Sequence, residues 1–210
     1  RGGGASYTDG YLATTPKSIT IDTSRLNKIV EINEEDMLVT VEPGVTWAEM
    51  AAALAEKNLR TPFWGPFSGL KATVGGSTSQ NSLSMGTSAY GGSPESILCY
   101  DIVLPNGKIL KTGSSSMENS SAFFRHYGPD LTGLFSGDAG ALGVKARITL
   151  RLIKLPTHTL TCSFGFKDYG SMSKGMAAAA REQSVSSNWG LDPKLQQGQL
   201  GRTTFSDAIK

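Results

Sequence analysis

Arg1-Gly2-Gly3-Gly4-Ala5-Ser6 puts three glycines in a row ahead of an alanine and a serine. With no Cβ atoms in the way, such a backbone can adopt positive φ and come close to a ligand. Successive amides can then converge on an anion, with the Ser6 hydroxyl as a further donor. Taken alone, the six residues read more simply as a flexible terminus. Two further glycine-rich segments change that weighing: Thr73-Val74-Gly75-Gly76-Ser77-Thr78-Ser79-Gln80-Asn81, and Gly137-Asp138-Ala139-Gly140-Ala141-Leu142-Gly143-Val144. Each lies between apolar runs that read as regular elements. Three such loops separated by strands predict one extended ligand, gripped mainly through backbone.

The 210 residues suffice for one large domain or two small ones, and a hydrophobic content of 39% is ordinary for a globular core. Twenty basic against eighteen acidic side chains leave a formal charge of +2 with no Lys/Arg cluster, which argues against a nucleic-acid partner. Cys99 and Cys162 sit in apolar, strand-like runs and match no metal-ligand spacing, so two buried thiols in a reducing compartment are expected and no metal site. No apolar run is long enough to span a bilayer. The start lacks the charged-then-apolar pattern of a signal peptide, so cytoplasm is the expected compartment. A glycine turn with no preceding strand to hold it suggests residues missing upstream, and the weakly patterned Ser186 to Lys210, with Gln196-Gln197-Gly198-Gln199, reads as cut as well.

Apolar and polar residues alternate over Ser18–Asp22, Lys28–Asn33 and Met37–Glu42, predicting three strands, the last ended by Pro43-Gly44. Thr46-Trp47-Ala48-Glu49 has capping-box spacing and predicts a helix to about Asn58 with Met50, Ala53, Leu54 and Trp47 on one side. Leu59 to Leu70, with Phe63, Trp64 and Phe67, reads equally as a packed loop or a ligand wall. Ile97–Leu104 and Lys108–Thr112 flank Pro105-Asn106-Gly107 and predict a hairpin. Gly113 to Ser121 is Ser-rich and expected to be exposed. A helical turn is predicted at Asp130–Phe135, strands at Val144–Ile153 and Thr159–Phe166, and a helix at Asp168–Glu182. Short strands mixed with few helices indicate an α+β fold.

Several chemistries are excluded by spacing. A P-loop needs Lys and Ser or Thr after its second glycine, whereas Gly170 to Gly175 is followed by Met176. A dinucleotide fingerprint fails because Tyr7 stands where its last glycine should be. There is no G-x-S-x-G, and His126 and His158 are the only histidines, so nothing supports a hydrolytic triad. Asn119-Ser120-Ser121 fits a glycosylation sequon, expected to be fortuitous in a cytoplasmic chain.

Four motifs in register, Arg1 to Ser6, Val41-Glu42-Pro43-Gly44-Val45-Thr46-Trp47, Thr73-Val74-Gly75-Gly76 and Leu134 to Val144, resemble the FAD-linked oxidase family of the vanillyl-alcohol oxidase type, near its glycolate oxidase and D-lactate dehydrogenase branch. The resemblance covers roughly residues 1–153. It implies a PCMH-type FAD-binding domain of two α+β subdomains, truncated at both ends, with residues 154–210 as the incomplete start of a substrate domain. Gly2, Gly3, Gly4, Ala5 and Ser6 would hold the pyrophosphate. Ser68 and Thr73 would face the flavin side, Gly75 and Gly76 would allow close backbone approach, and Ser79, Asn81, Tyr90 and Gly91 match the polar and closing positions that follow. Gly140, Leu142, Gly143 and Val144 would lie along the adenosine half.

Three departures qualify the match, the largest being that the family's substrate-binding domain, with the residues that accept the substrate proton and orient its carboxylate, is nearly absent here. Ala5 stands where members that link flavin covalently through this loop carry histidine, so non-covalent FAD is implied. Asp138-Ala139-Gly140 replaces the usual Ser-Glu-Gly. The expected function is the FAD-binding portion of an oxidoreductase that oxidises a small 2-hydroxy acid or related alcohol, passing electrons to oxygen or a separate acceptor. The alternative is a truncated FAD-binding module without turnover. Catalytic residues are expected beyond this region, and the oligomeric state is not implied.

Overall fold

A computed structural model describes residues 1–6, 8–182 and 184–195. In chain order the elements are β1 (Ile29–Asn33), β2 (Leu38–Val41), α1 (Trp47–Ala55), β3 (Leu59–Arg60), α2 (Val74–Ser79), α3 (Thr87–Tyr90), β4 (Ile97–Val103), β5 (Ile109–Lys111), α4 (Leu131–Leu134), β6 (Val144–Arg151), β7 (Ile153–Lys154) and α5 (Tyr169–Arg181). The chain divides after Leu155 into two compact units.

The first unit is built on an antiparallel sheet of order β1-β2-β6-β4-β5, with β3 and β7 forming a separate pair. β2 buries Leu38, Val39 and Val41, and β6 sets Leu150 opposite Val39 and Ile148 opposite Val41. The Asn106-Gly107 turn joins β4 to β5, Gly107 taking the φ of 77° that this tight turn demands. Helix α1 begins at the expected capping box: Thr46 Oγ1 accepts from the Glu49 amide, and Glu49 Oε2 accepts from the Thr46 amide at 2.9 Å. Its Trp47, Met50 and Leu54 join Val39, Val41, Phe63, Val74, Tyr100, Phe135 and Ile148 in one core.

In the second unit Asp168 caps α5 by accepting from the Ser171 amide at 2.7 Å, and the Phe166 ring lies against Gly175. Among the described residues no helix is long and apolar enough to cross a membrane, and no group of His, Cys, Asp and Glu could hold a metal ion.

Several expectations are corrected. Ser18–Asp22 and Thr159–Phe166 are exposed coil, since neither finds a partner strand for its alternating side chains. Cys162 is accordingly exposed, while Cys99 is buried in β4. Thr73–Asn81 holds a short helix, α2, rather than a loop. Gly113 and Ser114 are buried in a 3-10 turn, where the Ser114 hydroxyl donates to the Ser121 carbonyl at 2.8 Å. Gln196-Gln197-Gly198-Gln199 and the residues to Lys210 lie outside the described residues.

Candidate cofactor site

Helix α2 is the shelf on which the site is built, and its own amides are all engaged. Val74 N donates to Val45 O at 2.9 Å, Gly75 N to Pro43 O at 3.0 Å, and Ser77 N to Thr73 O at 3.0 Å. Gly76 N donates to Thr73 Oγ1 at 3.2 Å. Gly75 is glycine because a Cβ there would stand 2.5 Å from Pro43 Cβ, so the Pro43-Gly44 turn sits directly on the helix. From the core side the buried Trp47 indole donates to Ser77 Oγ at 2.8 Å, and its ring meets Phe63 edge-on at 5.1 Å. These contacts make the shelf rigid.

The Gly2–Ser6 loop lies against that shelf. A Cβ on Gly2 would stand 2.4 Å from Thr73 Oγ1, and one on Gly3 would stand 1.7 Å from the Lys71 carbonyl oxygen. Gly4 has a φ of 66°, and the Arg1 guanidinium lies beside it. Upstream, the Arg1 carbonyl accepts from the Thr23 amide at 2.9 Å and its hydroxyl at 3.0 Å, which anchors the loop's entry. Among the described residues, none of the amides of Gly2, Gly3, Gly4, Ala5 and Ser6 donates to a protein acceptor. Five consecutive unengaged donors beside a guanidinium, with Gly2 and Gly3 too close to the shelf for a side chain, match what a pyrophosphate needs.

Of the other residues singled out in the sequence, Thr73 and Ser79 belong to the shelf or its cap, and the rest lie in neighbouring segments. Ser68 is exposed, and its carbonyl receives the Lys71 and Ala72 amides at 2.8 Å each, forming the turn that feeds α2. Thr73 is buried as the helix cap. At the far end of α2, the Ser79 carbonyl accepts from the Ala139 amide at 2.8 Å and the Thr78 carbonyl from the Gly137 amide at 2.9 Å. This brings the third glycine-rich segment onto the end of the second. Asn81 follows in a left-handed conformation with φ 52°. Tyr90 and Gly91 close α3; a Cβ on Gly91 would meet Glu95 Cγ at 2.5 Å. Gly140 opens onto solvent, Leu142 is exposed, and Val144 pairs with Val103 at the start of β6. Gly143 is glycine because of Ile102 Cγ2, 2.5 Å from where a Cβ would be.

Sequence reasoning missed the polar layer beneath. Lys145 donates to Asp138 Oδ1 at 2.6 Å, with the two side chains only 3% and 2% exposed, and the ammonium lies 5.7 Å from the centre of the Tyr100 ring. Burial pulls the Lys145 pKa down while Asp138 pulls it up. Burial likewise raises Tyr100 to about 12, against the hydrogen bond its hydroxyl shares with Ser136 Oγ at 3.0 Å. A lysine among the apolar residues of a predicted strand was the available signal.

The family described as "FAD binding domain" matches residues 1–113, over half of the chain. The chain belongs to the FAD-binding-domain family. FAD is the cofactor, and the free amides of the Gly2–Ser6 loop fit its pyrophosphate. Among relatives of this FAD-binding domain is the mitochondrial D-lactate dehydrogenase [cytochrome] of Arabidopsis thaliana, 34% identical over 164 residues that cover 77% of this chain and 27% of that protein. Glycolate oxidase subunit GlcD of Bacillus subtilis is 32% identical over 154 residues, covering 73% and 30%. The solved structure of an alkyldihydroxyacetonephosphate synthase superposes with a TM-score of 0.62 at 18% identity over 75% of this chain and 26% of that one, a likeness of fold. The chain thus spans under a third of each of these relatives.

Proposed function

We propose that this chain is the FAD-binding portion of a flavin-dependent oxidoreductase that oxidises a small 2-hydroxy acid or a related alcohol. The observation that carries the reading is the run of five unengaged amides at Gly2–Ser6 on the α2 shelf. The substrate class rests on the relatives, whose names specify lactate and glycolate, both 2-hydroxy acids. Bound FAD supplies the hydride acceptor for the carbinol carbon. The chain's own residues bind and orient it: the loop amides and Arg1 receive the two phosphate charges, Thr73 and Gly75 hold the shelf, and Gly140 to Val144 line the adenosine half. Ser68, Gly76, Ser79, Asn81, Tyr90 and Gly91 complete the path toward the flavin. Ala5 offers no nucleophile to the ring, so attachment through this position is non-covalent.

In this reading residues 1–153 form the FAD-binding part and 154–210 begin a substrate-facing part. The partners are the small-molecule substrate and oxygen or a separate electron acceptor. Cys99 and Cys162 as unpaired thiols support a reducing compartment, the cytoplasm in the first instance.

The second reading is a FAD-binding module without turnover. The two separate on the protein purified from its native source. Anaerobic addition of D-lactate or glycolate that bleaches the bound flavin supports the oxidoreductase. Retained flavin that no 2-hydroxy acid bleaches favours the module.

A further inference from the structure

Asp138 and Lys145 form a buried ion pair that ties the 137–144 loop to β6. The loop turns through three left-handed residues, Gly137 at φ 68°, Ala139 at 54° and Gly140 at 77°. The middle one carries a Cβ, which disfavours that conformation. Asp138 is the point about which the loop folds. Its Oδ1 accepts from the Gly140 amide at 2.9 Å as well as from Lys145 Nζ, and its Oδ2 receives the Leu142 amide at 3.4 Å. Lys145 comes from the first turn-free residues of β6 and is held over Tyr100, whose hydroxyl bonds to Ser136. The carboxylate therefore draws two amides inward, while Ala139, Gly140 and Ala141 keep their outer side exposed.

Stability alone gives no reason for such a pair. Replacing both members of a buried ion pair by apolar groups is often neutral or stabilising, because desolvation offsets the attraction. What apolar groups cannot do is fix the direction of two loop amides.

We propose that the Asp138–Lys145 pair is the positioning element for the adenylate half of the cofactor: it presets the 137–144 loop in the shape that receives the adenosine. This rests on the FAD reading above. Neither residue is a catalytic residue; both act through the loop backbone. The pair also gives a role to the departure from Ser-Glu-Gly, since an aspartate at 138 requires a cation beneath the loop, and Lys145 supplies it.

The test uses D138A/K145M in the 210-residue chain, so that no uncompensated charge stays buried. Urea unfolding reports its fold, and flavin fluorescence reports titrations with FAD and with FMN, which lacks the adenylate. The expected result is an unfolding midpoint close to that of the parent, FAD affinity at least tenfold weaker, and FMN affinity unchanged wherever the parent binds FMN. A folded double variant that binds FAD within twofold of the parent overturns the proposal. So does an equal loss for FAD and FMN, which marks a general structural role. A parent chain that binds no FAD overturns the FAD reading itself, an outcome visible before any variant is made.

Discussion

A methyl group on Gly3 would stand 1.7 Å from the Lys71 carbonyl oxygen, a backbone atom that cannot rotate away. Gly3→Ala therefore lifts the loop from its shelf. We expect FAD affinity to fall at least about tenfold, roughly 1.4 kcal/mol, with little change in the urea midpoint because the residue is exposed. Gly75→Ala should behave oppositely at the level of stability: its methyl meets Pro43 in a buried position, and overpacking there should cost about 1–3 kcal/mol of unfolding free energy. Trp47→Phe removes the donor to the buried Ser77 hydroxyl and should cost about 1–3 kcal/mol in the same assay. The resemblance placed Gly75 at a close backbone approach to the cofactor and Gly143 along its adenosine half. For Gly75 and Gly143 the neighbours are Pro43 and Ile102, distant along the chain, and only the fold brings them together.

Helix α1 offers a prediction at the scale of the element. Thr46→Ala deletes one half of the capping box and should lower stability by about 1 kcal/mol, read from urea unfolding near neutral pH. The Glu49 carboxyl is held below its ordinary value of 4.5, first by the Thr46 amide and then by the Thr46 hydroxyl. A depressed folded pKa means that its contribution is complete above the unfolded value and is lost as the pH falls through the folded one. E49Q should thus flatten the acid limb of the stability profile below about that value, and an unchanged limb would contradict the capping role. The same box made α1 legible from the sequence, as Asn106-Gly107 did for the hairpin, because both signals are local. Alternation alone failed at Ser18–Asp22 and Thr159–Phe166: a strand also needs a partner, and every residue of those two segments is exposed. The Asp138–Lys145 pair escaped for a related reason, since it joins a loop to a strand at no regular spacing.

Across the first unit, the three glycine-rich segments noted in the sequence meet in one line: the Gly2–Ser6 loop on the start of α2, and the 137–144 loop on its end. A ligand lying along that line should stabilise the unit as a whole. Saturating FAD at about a hundred times its dissociation constant should raise the unfolding free energy by about 2.7 kcal/mol, and FMN should raise it less. The most direct test of the central claim, that the loop amides hold FAD without a covalent bond, is the visible spectrum of the 210-residue chain. The chain is incubated with FAD, desalted and then precipitated with acid. A retained flavin spectrum whose chromophore passes into the supernatant is expected. Colour that stays with the pellet would contradict the non-covalent reading drawn from Ala5, and a colourless desalted chain would contradict the site itself.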